Sequence, residues 1–148
     1  MTLYFAYGSN MDRAGMAERC PAARPIGVAK LVGWRFIVSV HGYASIVSAP
    51  GGEVVGILWR LSARDRAALD TYESLDSGLY MRRQLAVVHD GAARLAMVYV
   101  GRGRLAGRPR PGVVELIVAA AREWQLPVDY IRSLQRWLRP APGIGVRV

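Results

Sequence analysis

From Gly27 to Val100 the chain repeats one local pattern: an apolar, β-branched run followed by a short turn signal. Parallel neighbours need a crossover of about a dozen residues or more, so gaps this short predict antiparallel pairing. The runs are Gly27 to Leu31, Trp34 to Val40, Tyr43 to Ser48, Val54 to Leu61, Tyr80 to His89 and Ala93 to Val100. A seventh, Leu3 to Tyr7, is apolar and aromatic and reads as a buried strand. The turn signals are His41-Gly42, the strong breaker Pro50-Gly51-Gly52, and Asp90-Gly91, which suits a hairpin. A short helix is expected from about Met11 to Arg19, capped by Ser9 and Asn10 and stopped before Pro21. Ser62 followed by Asp65 resembles a capping box, with Asp in place of Glu, and opens a helix reaching about Glu73. In that helix Leu61, Ala68, Leu69 and Tyr72 share one face. Val113 to Trp124 is an amphipathic helix, and Pro127 fits the first turn of a last helix ending near Leu138. The pattern predicts an α+β fold: a small, mostly antiparallel β-barrel with flanking helices.

The chain has 148 residues, which fits one domain over 1–148 with a Pro/Gly tail over 139–148. An apolar fraction of 52% excludes a disordered chain. No run approaches the roughly 20 apolar residues of a membrane span, and Met1 to Tyr4 lacks a signal-peptide pattern. Cys20 is the sole cysteine, so an internal disulfide is excluded and a cytoplasmic location is the simplest expectation. The net charge is +9, and 19 of the 20 basic residues are Arg, with Lys30 the exception. They are scattered, with one concentration at Arg102, Arg104, Arg108 and Arg110, which reads as a solvated loop. Nucleic acid is not the expected partner; the charge instead favours acidic small molecules.

Two places carry the functional reading. The first is Tyr7-Gly8-Ser9-Asn10, where a buried strand runs into a tight turn and a helix start. Gly8 permits dihedrals closed to other residues, and successive free N–H groups make a site for a carboxylate or an oxyanion. The second is Glu73, at the C-terminal end of its helix, where the helix dipole disfavours a carboxylate. Burial beside Tyr72 and Tyr80 would raise its pKa further, as a proton-shuttling group requires. Asp70 and Asp76 are the nearest rivals and read as surface or turn residues. His41 and His89 fall at turns, and no pair has metal-ligand spacing. Cys20 lacks the flanking signature of a nucleophile.

These segments together resemble the γ-glutamylcyclotransferase family. Tyr4-Phe5-Ala6-Tyr7-Gly8-Ser9-Asn10-Met11 resembles its opening signature. Gly33-Trp34-Arg35-Phe36 with Ala44-Ser45-Ile46-Val47, and Gly52 through Trp59, resemble its following strands. Leu69-Asp70, Glu73 and Ser77-Gly78-Leu79-Tyr80 resemble the segment holding its glutamate. Ala121-Arg122-Glu123, Leu126-Pro127 and Tyr130 resemble its closing helices. The resemblance implies a cofactor-free, metal-free enzyme. It would convert a small-molecule γ-glutamyl substrate into 5-oxoproline and a free amine. It implies Glu73 as general acid/base, the Tyr7, Gly8, Ser9 and Asn10 loop as substrate-binding, and Tyr80 as a pocket residue. A homodimer is compatible with it. Two positions depart from the family's pattern: Val113 where a tyrosine is common, and Ala120 where a glycine is. Both bear on the amine side of the substrate. The competing readings are a relative that trims a γ-glutamyl group from a larger amine or natural product, and a non-catalytic basic module for nucleic acid.

Overall fold

A computed structural model describes residues 2–73 and 78–138. Asp76, Ser77 and the tail over 139–148, each given a reading above, lie outside the described residues. The elements are β1 (Thr2–Ala6), α1 (Arg13–Arg19), β2 (Arg24–Val38), β3 (Ala44–Leu61), α2 (Ala63–Tyr72), β4 (Tyr80–His89), β5 (Ala92–Gly101), α3 (Val113–Glu123) and α4 (Val128–Gln135). Short 3-10 turns cover Ser9–Met11 and Arg136–Leu138.

The five strands close into a barrel in the order β1-β3-β2-β4-β5. All pairings are antiparallel except the closing one, where Tyr4 of β1 meets Met97 of β5 in parallel. Closure leaves no long unpaired edge. The four strand-like runs between Gly27 and Leu61 are thus two long strands, not four. Pro50-Gly51-Gly52 does not end a strand. Val32 pairs with Glu53 and Trp34 with Ser48, so residues 49 to 52 bulge out opposite Gly33. Gly33 takes a φ of 90°, which an L side chain resists, and the ladder resumes on either side. At the β4–β5 turn Asp90 and Gly91 both have positive φ, the geometry of a two-residue hairpin.

The first helix starts differently from the sequence expectation. Ser9 and Asn10 do not cap it. They form their own 3-10 turn, and Asp12 caps α1 by accepting the Gly15 N–H at 3.0 Å. Their side chains are released for other partners. Pro127 is likewise the N-cap of α4 rather than part of its first turn. The capping box at α2 is complete: the Ser62 hydroxyl accepts the Asp65 N–H, and the Asp65 carboxylate accepts the Ser62 N–H. Leu61 and Leu69 are fully buried beneath α2, whereas Tyr72 is 45% exposed.

The core joins barrel residues such as Phe5, Ile57, Leu58, Val87 and Val98 to Val114, Ile117 and Ala121 of α3. Helix α3 lies against the Ser9–Met11 turn, where Trp124 donates its indole N–H to the Met11 carbonyl at 2.7 Å. Arg13 stacks on the outer face of that indole at 3.6 Å. The loop after β1 is therefore held from both sides.

Candidate active site

A cavity of about 610 Å³ opens where the end of β1, the C-terminus of α2 and the N-terminus of α3 converge. Tyr7, Gly8, Ser9 and Asn10 line it, together with Glu73 and Tyr80. All six residues singled out in the sequence thus line one cavity, although 63 positions separate Asn10 from Glu73.

Glu73 is the C-cap of α2, and its N–H donates to the Leu69 carbonyl at 2.8 Å. The residue thus stands at the carbonyl end of the helix, where the dipole disfavours negative charge. Burial raises its pKa from 4.5 to about 7, while Arg19 pulls the other way. A carboxyl that titrates near neutrality takes and returns a proton with equal ease.

Asn10 sits at the centre of the polar contacts. It is buried, and its amide nitrogen donates to the Tyr4 hydroxyl at 2.9 Å and to Glu73 Oε1 at 3.3 Å. Its amide oxygen accepts two bonds from Arg19, from Nε at 2.9 Å and Nη2 at 2.6 Å. Ser9 Oγ shares a hydrogen bond with the Tyr72 hydroxyl at 3.1 Å.

Gly8 has a φ of −119°, so a left-handed backbone is not why glycine stands there. A Cβ at this position would lie 3.1 Å from the Cβ of Ala44, and the wall of the cavity would have to give way.

Much of the lining is tyrosine. Tyr7 donates its hydroxyl to the Tyr99 carbonyl at 2.6 Å, and Tyr80 to the Ala44 carbonyl at 2.7 Å. Tyr99 donates to Asp70 at 2.6 Å, and the Tyr4 and Tyr99 rings meet edge to face at 5.7 Å. Burial pushes the pKa of each of these four phenols up, and the Glu73 charge adds to the push. They stay neutral where Glu73 titrates. Tyr7, Tyr80 and Tyr99 spend their hydroxyls on the protein and so offer ring surface to the cavity.

Asp70 is not a free surface residue. It holds Tyr99 with one oxygen and Arg82 with the other at 3.1 Å, tying α2 to β5 and β4. Tyr4, Tyr99, Asp70 and Arg19 were missed in the sequence. Tyr4 stood in the opening signature and Asp70 in the segment around Glu73, but neither was given a role, and nothing marked Tyr99 or Arg19. His89 ends β4, and its Nδ1 lies 2.9 Å from the Val28 carbonyl. Cys20 is buried, its thiol pushed up to about 11, which suits neither a nucleophile nor a base. Among the described residues neither His41, His89 nor Cys20 lines the cavity. The arginine loop reaches only the rim, where Arg110 stacks on Tyr43 at 5.0 Å and donates to the His41 carbonyl. Val113, Leu116 and Ile117 make the far wall aliphatic; Ala120 is buried behind it.

Comparison with known proteins assigns this architecture. The sequence model of a family described as "Gamma-glutamyl cyclotransferase, AIG2-like" matches residues 4–125. The chain belongs to this family. A human protein named gamma-glutamylcyclotransferase is 28% identical over 144 residues, covering 90% of this chain and 77% of the relative. A bovine protein of the same name is 29% identical over 143 residues, covering 89% and 76%. A solved structure named gamma-glutamyl cyclotransferase superposes with a TM-score of 0.83 at 27% identity, covering 90% of this chain and 86% of the other. The family's barrel with flanking helices is the fold found here.

Proposed function

We propose that the chain converts γ-glutamyl amines or amino acids into 5-oxoproline and the free amine, with Glu73 as the proton carrier. The observation that carries the reading is that Glu73, a carboxyl whose pKa burial raises, lines the same cavity as the loop over 7–10 and accepts a hydrogen bond from it. The substrate brings its own nucleophile. Its α-amine attacks its γ-carbonyl carbon, a C–N bond forms, and the carbonyl oxygen becomes an oxyanion. Collapse of that intermediate restores the carbonyl and breaks the original amide C–N bond. The α-ammonium nitrogen gives up two protons on becoming the lactam N–H. The departing nitrogen gains two on becoming an ammonium, and Glu73 carries them one at a time. Holding the γ-glutamyl chain in a ring-closing shape is worth about 7–11 kcal/mol in favourable intramolecular cases.

The other roles follow from position. Residues Ser9 and Asn10 open a 3-10 turn, so their N–H groups precede its first closed bond and suit the substrate α-carboxylate or the oxyanion. Tyr7 and Tyr80 hold the glutamyl methylenes against ring faces. The amine departs toward Val113, Leu116 and Ile117, so apolar amines fit the far wall better than charged ones.

Incubation with γ-glutamyl-alanine, γ-glutamyl-leucine and γ-glutamyl-ethylamine, followed by assay of 5-oxoproline, tests the reading. Product from at least one is expected, and none from all three refutes it. A second test uses pH. Only ionised Glu73 can relieve the substrate ammonium of a proton. Because its pKa is raised, kcat/KM should climb with pH through about 7. A limb near the ordinary carboxylate value, or a flat profile from pH 5 to 8, would remove Glu73 from this role.

A further inference from the structure

Arg19 is absent from the cavity wall, yet it is bonded to what the wall presents. It is the last residue of α1, and its side chain folds back along its own helix to reach Asn10. The path is kept open by Gly15. A Cβ there would lie 2.8 Å from Arg19 Nη2. Glycine inside a helix is unfavourable relative to alanine, so a helix of seven residues carries that cost at the one place the guanidinium crosses. The guanidinium also stacks on Tyr72, 4.1 Å from the ring centroid. It is fixed by a flat ring on one side and a forked hydrogen bond on the other.

A carboxamide can sit either way round, and its two ends have opposite hydrogen-bonding character. Two N–H donors on Asn10 Oδ1 decide the matter. The oxygen is turned to Arg19, so Nδ2 must face Tyr4 and Glu73. The reversed amide would aim an oxygen at the Glu73 carboxylate and an N–H₂ at a cation. We propose that Arg19 is a positioning residue for the reaction: its forked bond to Asn10 fixes the amide that donates to Glu73. This rests on the reading of Glu73 as the proton carrier. The groups around that carboxyl are Tyr4 from β1, Tyr7 and Asn10 from the loop that follows it, Arg19 from α1, Tyr72 from α2, Tyr80 from β4 and Tyr99 from β5. Arg19 is the cation that favours its ionised form.

The test compares Arg19→Lys and Arg19→Met with wild type, on whichever of the three γ-glutamyl compounds above gives product. Lysine keeps the charge but lacks the planar fork. Both variants should lose kcat by about tenfold with KM within about twofold, since the interaction tightens the reacting geometry rather than substrate binding. The acid limb of the pH profile should rise in Arg19→Met and stay near the wild-type position in Arg19→Lys. In an Asn10→Ala background, Arg19→Met should cost little more, because the pathway through the amide is already gone. A packing role for Arg19 predicts additive losses and an unmoved limb, and that result overturns the proposal. So does full recovery of kcat in Arg19→Lys, which would make charge alone sufficient. The Glu73 carboxyl can also be titrated by carbon-13 NMR without substrate, its signal assigned by loss in Glu73→Gln. An unchanged Glu73 titration in Arg19→Met overturns the proposal even if that variant is inactive. If wild type forms no 5-oxoproline while the NMR shift appears, the reading of the reaction fails and the coupling of Arg19 to Glu73 through Asn10 stands.

Discussion

Glu73→Gln should abolish nearly all turnover while making the protein more stable above neutral pH. Glutamine keeps the shape of the side chain and an oxygen to accept the Asn10 N–H, but it cannot take up a proton. Loss of a positioned general acid/base costs about 10²- to 10⁴-fold in rate. The stability half follows from linkage. The folded carboxyl has a pKa near 7 and the unfolded one near 4.5, so the folded state binds the proton more tightly. Below pH 4.5 both states are neutral and the substitution is silent. Between pH 4.5 and 7 wild type loses stability as the unfolded chain ionises first. Above pH 7 the full cost of the buried charge is present, about 3 kcal/mol. Denaturant melts of both proteins at pH 4.5 and pH 8 measure it. A Gln variant that gains nothing at pH 8 would mean that Glu73 is not desolvated.

Leu69→Ala should show the reverse. Leu69 is fully buried one turn before Glu73, in the helix that delivers it. Its truncation removes about 2–5 kcal/mol of transfer and cavity energy. Against a total of about 5–15 kcal/mol that is severe, and Tm should fall by about 5–15 °C. The denaturant midpoint should drop with the slope unchanged. Its backbone carbonyl still receives the Glu73 N–H, so the surviving folded molecules should keep the acid limb near pH 7. The two substitutions separate what the helix carries from what holds it down.

What sequence could reveal of this site was whatever is encoded locally. The Ser62–Asp65 box and the helix end at Glu73 are neighbours along one helix, and both were readable. So was the Asp90-Gly91 hairpin, whose backbone demands positive φ. The strand count failed at Gly33 and Pro50 because a bulge resembles a chain break until the facing strand is known. The caps failed for a related reason. Ser9 and Asn10 are good capping residues, but their side chains are drawn off by Tyr72, Tyr4, Glu73 and Arg19, which local pattern cannot see. Asp70 was misread because its partners Arg82 and Tyr99 lie on the hairpin, 12 and 29 positions away.

The barrel's closing seam bears on how the protein is made. β1 leaves the ribosome first, yet it lies between β3 and β5. It can pair along one side only after Leu61 has emerged, and along the other only after Met97. At about 5–20 residues per second it waits for several seconds with an apolar, aromatic strand unpartnered. The loop that carries Asn10 is continuous with that strand. Nascent chains truncated before β5 should therefore contain Glu73, Tyr80 and the loop over 7–10 and catalyse nothing. Mistranslation or pausing upstream of residue 97 would prolong the interval in which β1 is open to aggregation or chaperones.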